Sequence, residues 1–307
     1  MPRDPEHFRR TPRAVTVAAI QMACDWDIEG NIARAEQLVR QAAARGAQVI
    51  LLPELFETPY FCIEQDARHL GLARAAAENR AVVHFAPLAR QLGVVLPISF
   101  FERAGPACFN SIAILDADGT NLGVYRKSHI PNGPGYQEKN YFSPGDTGFR
   151  VWNTRFARLG VGICWDQWFP ETARVMALMG AELLLFPTAI GTEPPPALPV
   201  NSREHWQRTQ QGHAAANLIP LLAANRYGLE RSLQDPQGLY IRFYGSSFIA
   251  DAMGAKVAEA PEEGDAVLIH VFDLEATARL RDNWFVFRDR RPDLYGTLVS
   301  LDGQRDS

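Results

Sequence analysis

Strand-like and helix-like patterns alternate along this chain, and that alternation limits the folds it can adopt. Residues 14–22 and 48–52 are apolar runs rich in β-branched side chains, which are typical of buried strands. Between them, residues 31–45 follow the helical period, and Gly46 marks the end of the helix. The apolar stripe of this helix consists of Ile32, Ala35, Leu38, Val39 and Ala42. The pattern predicts an α/β protein in which helices cover the faces of sheets.

The same alternation continues along the chain without a clear linker. We predict helices over residues 81–92, 170–179 and 206–216, and strands over residues 94–101, 110–115, 122–126, 159–163, 182–186, 218–224, 245–250 and 266–272. No charge block or low-complexity tract divides the two halves. We therefore expect a single domain over residues 1–307, with a core of about residues 14–280 whose strands form more than one sheet. Residues 281–307 are expected to form a tail in subunit contacts.

Composition argues against several kinds of partner. Apolar residues make up 47% and charged residues 21% of the 307 residues, as in an ordinary soluble globular protein. The net charge of -4 argues against a nucleic acid partner, because nucleic-acid-binding domains concentrate positive charge. No run approaches the roughly 18 apolar residues that a membrane span requires, so we expect no membrane partner. Mild acidity is compatible with a small cationic substrate.

The cysteines indicate a reducing compartment. Cys24, Cys62, Cys108 and Cys164 lie far apart in the sequence and form no CxxC pair. A chain of this length and apolar content does not need a disulfide framework. We therefore expect a cytoplasmic protein with free thiols. Because the sequence contains neither an HExxH motif nor a paired Cys/His spacing, we expect no bound metal.

Three polar residues, Glu54, Lys127 and Cys164, each follow the end of a predicted strand, after residues 50–53, 122–126 and 161–163. In α/β proteins, functional groups gather where strands end and loops begin. A buried charge is costly unless it has a partner, so the placement of Glu54 and Lys127 favours a shared buried site. The alternative is that both are ordinary solvated surface charges.

The run that ends at Cys164 resembles a nucleophile elbow, which lifts a reactive side chain above a sheet. Gly162 leaves room for a sharp turn, and a helix is predicted shortly afterwards. A thiol near a helix N-terminus lies in the positive field of the backbone dipoles, which favours the thiolate. The alternative is that Cys164 is a small buried apolar residue, as most free cysteines are.

A cysteine nucleophile at neutral pH needs a base or a cation, because only a few per cent of a free thiol is ionised. Histidine is the usual helper, yet among the 7 histidines only His129 lies near a candidate strand end. No signature supports a Cys–His pair, although that alternative stays open. A buried glutamate can accept the thiol proton, and a buried lysine can stabilise the thiolate and then an oxyanion. Glu54 and Lys127 are the candidates for these roles.

Four blocks of the sequence resemble the signature blocks of the nitrilase superfamily. They are LLPELFETPYF (51–61), YRKSHIP (125–131), GYQEKNYFSPGD (135–146) and GVGICWDQWFPE (160–171). The resemblance extends over residues 14–298 and implies a four-layer α-β-β-α sandwich. It also implies a catalytic triad of Glu54, Lys127 and Cys164, supported by Glu138, which orients the substrate. The superfamily chemistry requires no cofactor.

Further blocks are most similar to the branch of the superfamily that hydrolyses N-carbamoylputrescine to putrescine, ammonia and carbon dioxide. They are ELFETPYFC, KSHIPNGPGYQEKNYF, FPTAIGTEP and HWQRTQQGHAAAN. The resemblance implies a carbamoylated amine as the small-molecule substrate, a role in polyamine synthesis and a homo-oligomer. The alternative is the sibling branch of N-carbamoyl-D-amino acid hydrolases, or another amidase of the superfamily.

Two neutral residues distinguish this chain from the sibling branch. That branch carries arginines just after the Asp that follows the nucleophile, and those positions are Gln167 and Trp168 here. A neutral pair is a poor clamp for a carboxylate, because bidentate pairing requires a guanidinium. The difference predicts a substrate without a carboxylate, whose far end is an amine. We expect Glu193 to bind that amine, with Tyr60 and Trp165 as walls.

Two functions without hydrolysis are the remaining alternatives. The chain could be a binding or assembly protein on the same fold, although such a protein has no need for all three triad groups. It could also be a redox-sensing thiol protein, with Cys164 as the reactive residue and Cys62 as the resolving one. A Cys62–Cys164 disulfide formed under mild peroxide would favour the sensor.

Overall fold

The structure of the protein, a computed structural model, describes residues 12–192, 194 and 201–304. One compact unit is formed by residues 14–272, and a second by the described residues among 1–13 and 273–307. None of the described helices combines the length and the apolar character that a membrane span needs.

The helices of the described chain begin where the sequence offers capping groups. They are α1 (Ile28–Ala44), α2 (Arg80–Leu92), α3 (Pro170–Leu178), α4 (Ser202–Asn217) and α5 (Leu274–Trp284). Side chains that accept a main-chain N–H of the first turn precede four of them, at Asp27, Asn79, Asn201 and Asp273. Helix α3 instead begins with Pro170, whose fixed φ suits a first helical position.

The strands of the described chain form four sheets. They are β1 (Ala14–Gln21), β2 (Val49–Leu51), β3 (Leu96–Ala104), β4 (Ala107–Leu115), β5 (Asn121–Arg126), β6 (Val151–Asn153), β7 (Arg158–Val161), β8 (Leu183–Thr188), β9 (Leu221–Asn225), β10 (Tyr227–Arg231), β11 (Tyr240–Tyr244), β12 (Phe248–Ala250), β13 (Lys256–Glu259) and β14 (Ala266–Asp273). The sheet orders are β14-β1-β2, β3-β4-β5, β10-β11 and β13-β12-β9-β8-β7-β6. A bridge between Val49 and Val95 joins the first two sheets, so they act as one layer.

The unit formed by residues 14–272 has four layers. On one side, α1 and α2 pack against β1 to β4 through apolar side chains such as Val39, Phe85, Ile50 and Ile98. Strand β1 lies against β9, which brings the two sheet layers face to face. On the other side, α3 and α4 contact each other and cover β7 and β9. This order confirms the predicted α-β-β-α sandwich.

Each predicted helix and strand has a counterpart in the structure, although several ends differ by a few residues. Short strands were missed, namely β6, β10, β11 and β13. In β11 the exposed Tyr240 and Arg242 interrupt the buried residues, and β13 has no buried residue. Such strands carry too few apolar positions to form the runs on which the prediction relied.

The second unit contains a helix that the sequence did not predict. Helix α5 begins after Asp273, whose side chain accepts hydrogen bonds from the main-chain N–H groups of Glu275 and Ala276. Leu274 is its one buried residue, so no apolar stripe marks the helix in the sequence. The segment after it exposes large apolar side chains, with Leu298 and Val299 64% and 91% exposed.

Candidate active site

Glu54 lies in the turn that follows β2 and is fully buried. The next residue, Leu55, has a φ of +47°, which few non-glycine residues adopt, and its N–H donates to Ser99 Oγ at 3.0 Å. Glu54 Oε1 accepts hydrogen bonds from Asn110 Nδ2 at 2.7 Å and Lys127 Nζ at 2.9 Å. Glu54 Oε2 has no hydrogen-bond partner among the described residues. One oxygen therefore anchors the carboxylate, and the other is free to take a proton.

Lys127 follows β5 and is also fully buried. Its main-chain N–H donates to the carbonyl oxygen of Asn110 at 2.8 Å, which extends the pairing of β5 with β4. Besides Glu54, its Nζ contacts both carboxylate oxygens of Glu138, at 2.8 and 2.7 Å. The three N–H donors of the ammonium are thus all directed at carboxylate oxygens.

Glu138 begins a short 3-10 turn, Glu138–Asn140, and is the second carboxylate bonded to Lys127 Nζ. Its Oε1 also accepts a hydrogen bond from the Tyr60 hydroxyl at 2.7 Å. Tyr60 is 1% exposed, and its hydroxyl is used by Glu138. The predicted contact between the Tyr60 ring and the substrate stays a prediction.

Burial and charge act in opposite directions on this cluster. Burial alone would lower the pKa of the Lys127 ammonium, but the carboxylates of Glu138 and Glu54 raise that pKa well above its usual value. Burial raises the pKa of the Glu138 carboxyl, Lys127 opposes the rise, and the nearby Glu54 adds to it. The cluster therefore keeps Lys127 charged at neutral pH, while Glu138 is held less firmly in its ionised form.

Cys164 follows β7 at the start of a 3-10 turn, Cys164–Trp168, and has a φ of +42°. This strained conformation in a non-glycine residue matches the predicted elbow. Gly162 packs so closely on Phe186 that a Cβ there would lie 2.6 Å from the ring. The Cys164 Sγ contacts the carbonyl oxygen of Ala189 at 3.8 Å.

The electrostatic surroundings of Cys164 differ from the sequence-based expectation. We expected the backbone dipoles at the helix start to favour the thiolate. Instead, burial and the charge of Glu54 raise the pKa of the Cys164 thiol well above its usual value, and Lys127 lowers it only in part. The resting side chain is a neutral thiol, so a base must remove its proton as it reacts.

Cys164 opens onto a cavity of about 230 Å³. Its wall is mainly apolar and aromatic, formed by Pro131, Asn132, Gly133, Pro134, Tyr136, Glu138, Cys164, Trp165, Gln167, Trp168, Ala189, Ile190 and Pro194. The rings of Trp165 and Trp168 meet edge to face, with centroids 6.3 Å apart. Trp165 is thus on the wall where the sequence predicted it. Glu193, the predicted amine-binding residue, lies outside the described residues.

Residues 16–282 match the family described as Carbon-nitrogen hydrolase. The chain belongs to this family, which is the nitrilase superfamily of the sequence prediction. As a carbon–nitrogen hydrolase it is an enzyme that acts on a small molecule. The predicted family membership is confirmed.

Curated relatives of this hydrolase cover nearly its whole length. It is 55% identical to the N-carbamoylputrescine amidase of Arabidopsis thaliana over 291 residues, which is 95% of this chain and 97% of the relative. It is 52% identical to the citrullinase of Francisella tularensis subsp. tularensis over 286 residues, or 93% and 98% of the two chains. A crystal structure of a carbon–nitrogen hydrolase from Helicobacter pylori G27 is 37% identical, with a TM-score of 0.88 over 94% of this chain and 99% of that one.

Asp166 is a site residue of the hydrolase that the sequence analysis did not assign. It is fully buried, and its Oδ2 accepts hydrogen bonds from the Ile163 N–H at 2.9 Å and the Tyr125 hydroxyl at 2.7 Å. Its Oδ1 accepts from the N–H of His129 at 3.0 Å and contacts His129 Nδ1 at 2.7 Å. Asp166 therefore links the turn that carries Cys164 to Tyr125 and His129, which lie two residues before and two residues after Lys127. It also engages His129 Nδ1, so the Cys–His alternative has no support in this contact.

Arg226 and Glu230 form a second unassigned pair, behind the Glu54 turn. Arg226 is fully buried, and its Nη2 donates to the carbonyl oxygens of Glu54 and Leu55 at 2.7 and 3.0 Å. Its Nη1 contacts Glu230 Oε1 at 2.9 Å. Glu230 Oε2 accepts the Tyr60 N–H at 2.5 Å. The pair thus holds the main chain at both Glu54 and the tyrosine that supports Glu138.

One group of side chains in the hydrolase has the composition of a metal site. Oxygen and nitrogen atoms of Glu64, Asp66 and His69 lie within 4.8 Å of one another. His69 Nε2 contacts Glu64 Oε1 at 2.9 Å, and Asp66 pairs with Arg68. These ligand atoms already have partners, and none of the three residues is in the cavity wall.

Proposed function

We propose that this enzyme hydrolyses N-carbamoylputrescine to putrescine, ammonia and carbon dioxide, as part of polyamine synthesis. The observation that carries the proposal is a buried Glu54–Lys127–Glu138 cluster whose charge acts on Cys164 in the wall of an aromatic cavity. Identity to enzymes named N-carbamoylputrescine amidase supports the choice of substrate.

In the first step, Glu54 accepts the Cys164 proton as the sulfur attacks the carbamoyl carbon. The raised pKa of the thiol makes this coupling necessary, because little thiolate exists at rest. Glu54 Oε2, without a partner among the described residues, is the oxygen suited to receive the proton. Glu54 Oε1 meanwhile stays bonded to Lys127 and Asn110, which keeps the base in place.

The negative charge that develops on the carbamoyl oxygen is stabilised by Lys127 and by the N–H of Trp165. Because the three ammonium donors of Lys127 all point at Glu54 and Glu138, its main contribution is charge in a site shielded from water. A direct hydrogen bond from Lys127 to the oxyanion requires it to release one oxygen of Glu138. Losing one such stabilising donor commonly lowers the rate by roughly 10²–10³-fold.

The tetrahedral intermediate collapses when one C–N bond breaks and Glu54 returns its proton to the leaving nitrogen. A carbamoyl group then remains on the Cys164 sulfur as a thiocarbamate. Glu54 next deprotonates a water molecule, which attacks that carbon and releases the free thiol and a carbamic acid. The carbamic acid loses carbon dioxide and frees the second nitrogen, so one water is consumed for each ureido group.

The far end of the substrate is an ammonium, which needs aromatic or acidic partners. Trp165 and Trp168 supply aromatic faces on the cavity wall, and an ammonium is attracted to such faces. Glu193 remains our candidate for the acidic partner. The name of one relative, citrullinase, identifies the main competitor, since citrulline differs from N-carbamoylputrescine by a carboxylate. The neutral Gln167 and Trp168 offer no ion pair to that carboxylate, which favours N-carbamoylputrescine.

An ammonia-release assay over a set of substrates tests the proposal. The set contains N-carbamoylputrescine, N-carbamoyl-β-alanine, an N-carbamoyl-D-amino acid, a simple aliphatic amide and a nitrile. We expect N-carbamoylputrescine to give the highest kcat/KM, with putrescine as a product. The N-carbamoyl-D-amino acid as the best substrate would instead support the sibling branch.

We also propose that the enzyme is a cytoplasmic homo-oligomer. Four free, buried cysteines are consistent with a reducing compartment. Exposed apolar side chains such as Trp284, Leu298 and Val299 are suited to contacts between subunits. Analytical ultracentrifugation of the purified chain tests the assembly, and a monomer at micromolar concentration would contradict it.

A further inference from the structure

Asn110 lies on β4 and is fully buried, although its side chain is polar. Its Nδ2 donates to Glu54 Oε1 at 2.7 Å, while its Oδ1 has no hydrogen-bond partner among the residues that the structure describes. The reverse orientation of the amide would place an oxygen against the carboxylate oxygen of Glu54, so this neighbour fixes which atom is the nitrogen. A buried acceptor without a donor is costly, which indicates that the position requires the N–H that faces Glu54.

The pairing of β4 with β5 brings Asn110 opposite Lys127. In this antiparallel ladder the neighbouring pair is Ser111 and Arg126. The Lys127 N–H then donates to the carbonyl oxygen of Asn110 at 2.8 Å. Side chains of residues that face each other across two strands project to the same side of the sheet. The Asn110 amide and the Lys127 ammonium therefore reach the same oxygen of Glu54, at 2.7 and 2.9 Å.

The neighbouring pair of the same ladder holds a different carboxylate. Successive side chains of a strand alternate between the two faces of a sheet. Ser111 Oγ donates to Glu102 Oε2 at 2.6 Å, and Arg126 contacts Oε2 and Oε1 of Glu102 at 2.9 and 2.8 Å. That carboxylate is therefore held by both of its oxygens. Glu54 differs, because both of its donors bond to Oε1 and its Oε2 has no partner in the described part of the chain.

Lys127 has other bonds to keep while Glu54 reacts. Its ammonium also contacts both oxygens of Glu138, and a direct bond to the oxyanion requires it to release one of them. The Asn110 amide has a single side-chain hydrogen bond within the described chain, the one to Glu54. Its hold on Glu54 Oε1 is therefore independent of a shift of the ammonium, and it adds no charge to the cluster.

We propose that Asn110 is a positioning residue, which holds Glu54 by Oε1 so that Oε2 transfers the protons of the reaction. This inference rests on the proposed function, because it concerns the base of the same mechanism. Asn110 is not in the wall of the cavity that Cys164 lines, so it acts through Glu54. The base takes the thiol proton, returns it to the leaving nitrogen and later deprotonates water. A carboxylate that rotates loses alignment in each of these steps, so kcat depends on Asn110 more than KM does.

Asn110→Leu removes the donor and keeps a branched side chain. We expect kcat for N-carbamoylputrescine to fall about 10- to 100-fold at nearly constant KM, the size of a hydrogen bond to a charged group. Because the variant also removes the unpartnered Oδ1, its melting temperature should change little. Loss of a purely structural contact would instead lower the melting temperature without separating kcat from KM, and that result would overturn the proposal.

Asn110→Asp keeps the size and shape of the side chain and changes only the donor. It places an acceptor instead of an N–H against Glu54 Oε1, so we expect a larger loss of kcat, about 100-fold or more. Wild-type kcat in this variant would mean that the shape of the side chain is sufficient, which contradicts the proposed role. The two variants change the position in different ways, so if one fails to fold the other remains a test.

Ser111→Ala is the matched control, because it removes a donor to a carboxylate from the adjacent residue of the same strand. Its kcat should stay near that of the wild type. The rate at which iodoacetamide alkylates Cys164, measured by mass spectrometry, reports removal of the thiol proton without the substrate. We expect this rate to fall about 10-fold in Asn110→Leu and to stay unchanged in Ser111→Ala.

The alkylation rates separate this inference from the choice of substrate. Equal rates in Asn110→Leu and the wild type would show that the base does not depend on Asn110, which would overturn the inference and leave the proposed function intact. A wild-type enzyme that does not hydrolyse N-carbamoylputrescine would remove the proposed function. Slower alkylation of Asn110→Leu in that case would still support the positioning role.

Discussion

At the reaction centre, Glu54, Lys127 and Glu138 are fully buried and bonded to one another, whereas on the cavity wall Gln167 and Trp168 each keep an N–H without a partner. The first region has its charges paired before any substrate arrives, which lowers the reorganisation needed during reaction. The second region keeps two buried N–H groups without a partner among the described residues. The groups that carry the chemistry are thus held by paired charges, whereas the turn that carries the nucleophile is held less completely.

The largest expected effect comes from removing the sulfur at the reaction centre. Cys164→Ala leaves Glu54 and Lys127 paired but removes the nucleophile, so we expect kcat to fall by about 10⁴-fold or more. Ammonia release from N-carbamoylputrescine measures the loss. Cys108→Ala is the matched control, since it removes a buried thiol outside the cavity wall and should retain activity. Appreciable turnover by folded Cys164→Ala enzyme would contradict the covalent mechanism.

A smaller effect should follow from disturbing the support of the reaction centre. Arg226→Lys keeps the positive charge beside Glu230 but cannot hold the carbonyl oxygens of Glu54, Leu55 and Thr58 together. A displaced base slows the chemistry more than it weakens binding, so we expect kcat to fall about 10- to 100-fold with little change in KM.

Glu230→Gln is the companion variant, because it keeps an acceptor for the Tyr60 N–H while removing the charge. Burial of an unpaired Arg226 should then lower the melting temperature more than it lowers kcat. A rise in KM at unchanged kcat in Arg226→Lys would mean that Arg226 supports the cavity rather than the base.

Tyr60→Phe tests how the reaction centre controls its own ionisation. The Tyr60 hydroxyl donates to Glu138 and lowers the pKa of that carboxyl, which burial raises. Without the hydroxyl the pKa of Glu138 rises further, so protonation, and the loss of the contact with Lys127, begin at a higher pH. We expect the acid limb of the kcat/KM profile to move up by roughly half to one pH unit.

Tyr141→Phe is the control for that profile. The Tyr141 hydroxyl donates to the carbonyl oxygen of Glu64 and accepts the N–H of Asp66, so it bonds to neither Lys127 nor the Glu138 carboxylate. The acid limb of the kcat/KM profile of Tyr141→Phe should therefore stay at the wild-type pH. A limb that stays in place in Tyr60→Phe, or moves to lower pH, would mean that Glu138 does not control activity at low pH.

The two regions also differed in how far the sequence revealed them. Glu54, Lys127 and Cys164 stood out because each follows the end of a predicted strand, and the structure brings Glu54 and Lys127 into contact. Arg226 comes two residues after the predicted strand 218–224, behind Asn225, so a search of all strand ends could have found it. Asp166 could not be assigned in the same way, because three of its four contacts are with Tyr125 and His129, which only the fold brings close to it.

The cavity wall depends on tertiary contacts to a greater extent. The sequence showed only that Gln167 stands where the sibling branch has an arginine. The structure shows which end of its amide is unpartnered, because Trp206 and Gln210 on α4, about forty residues away, donate to the oxygen. The hairpin β10-β11 was not predicted because few of its positions are buried. It begins at Tyr227, directly after Arg226. Local pattern locates groups that must be buried, whereas the orientation of a neutral amide follows from its neighbours.

The smallest expected effect concerns the aromatic part of the wall. Trp165 is 39% exposed, so water already screens part of its attraction for an ammonium. We expect Trp165→Leu to raise KM for N-carbamoylputrescine about 2- to 5-fold, the value of a cation–π contact at an exposed site, with little change in kcat. Butylurea, which has a methyl group in place of the distal aminomethyl group, is the control substrate, and its KM should change less. Equal changes for the two compounds would mean that the ring packs on the hydrocarbon chain, and the ammonium would then depend on other partners.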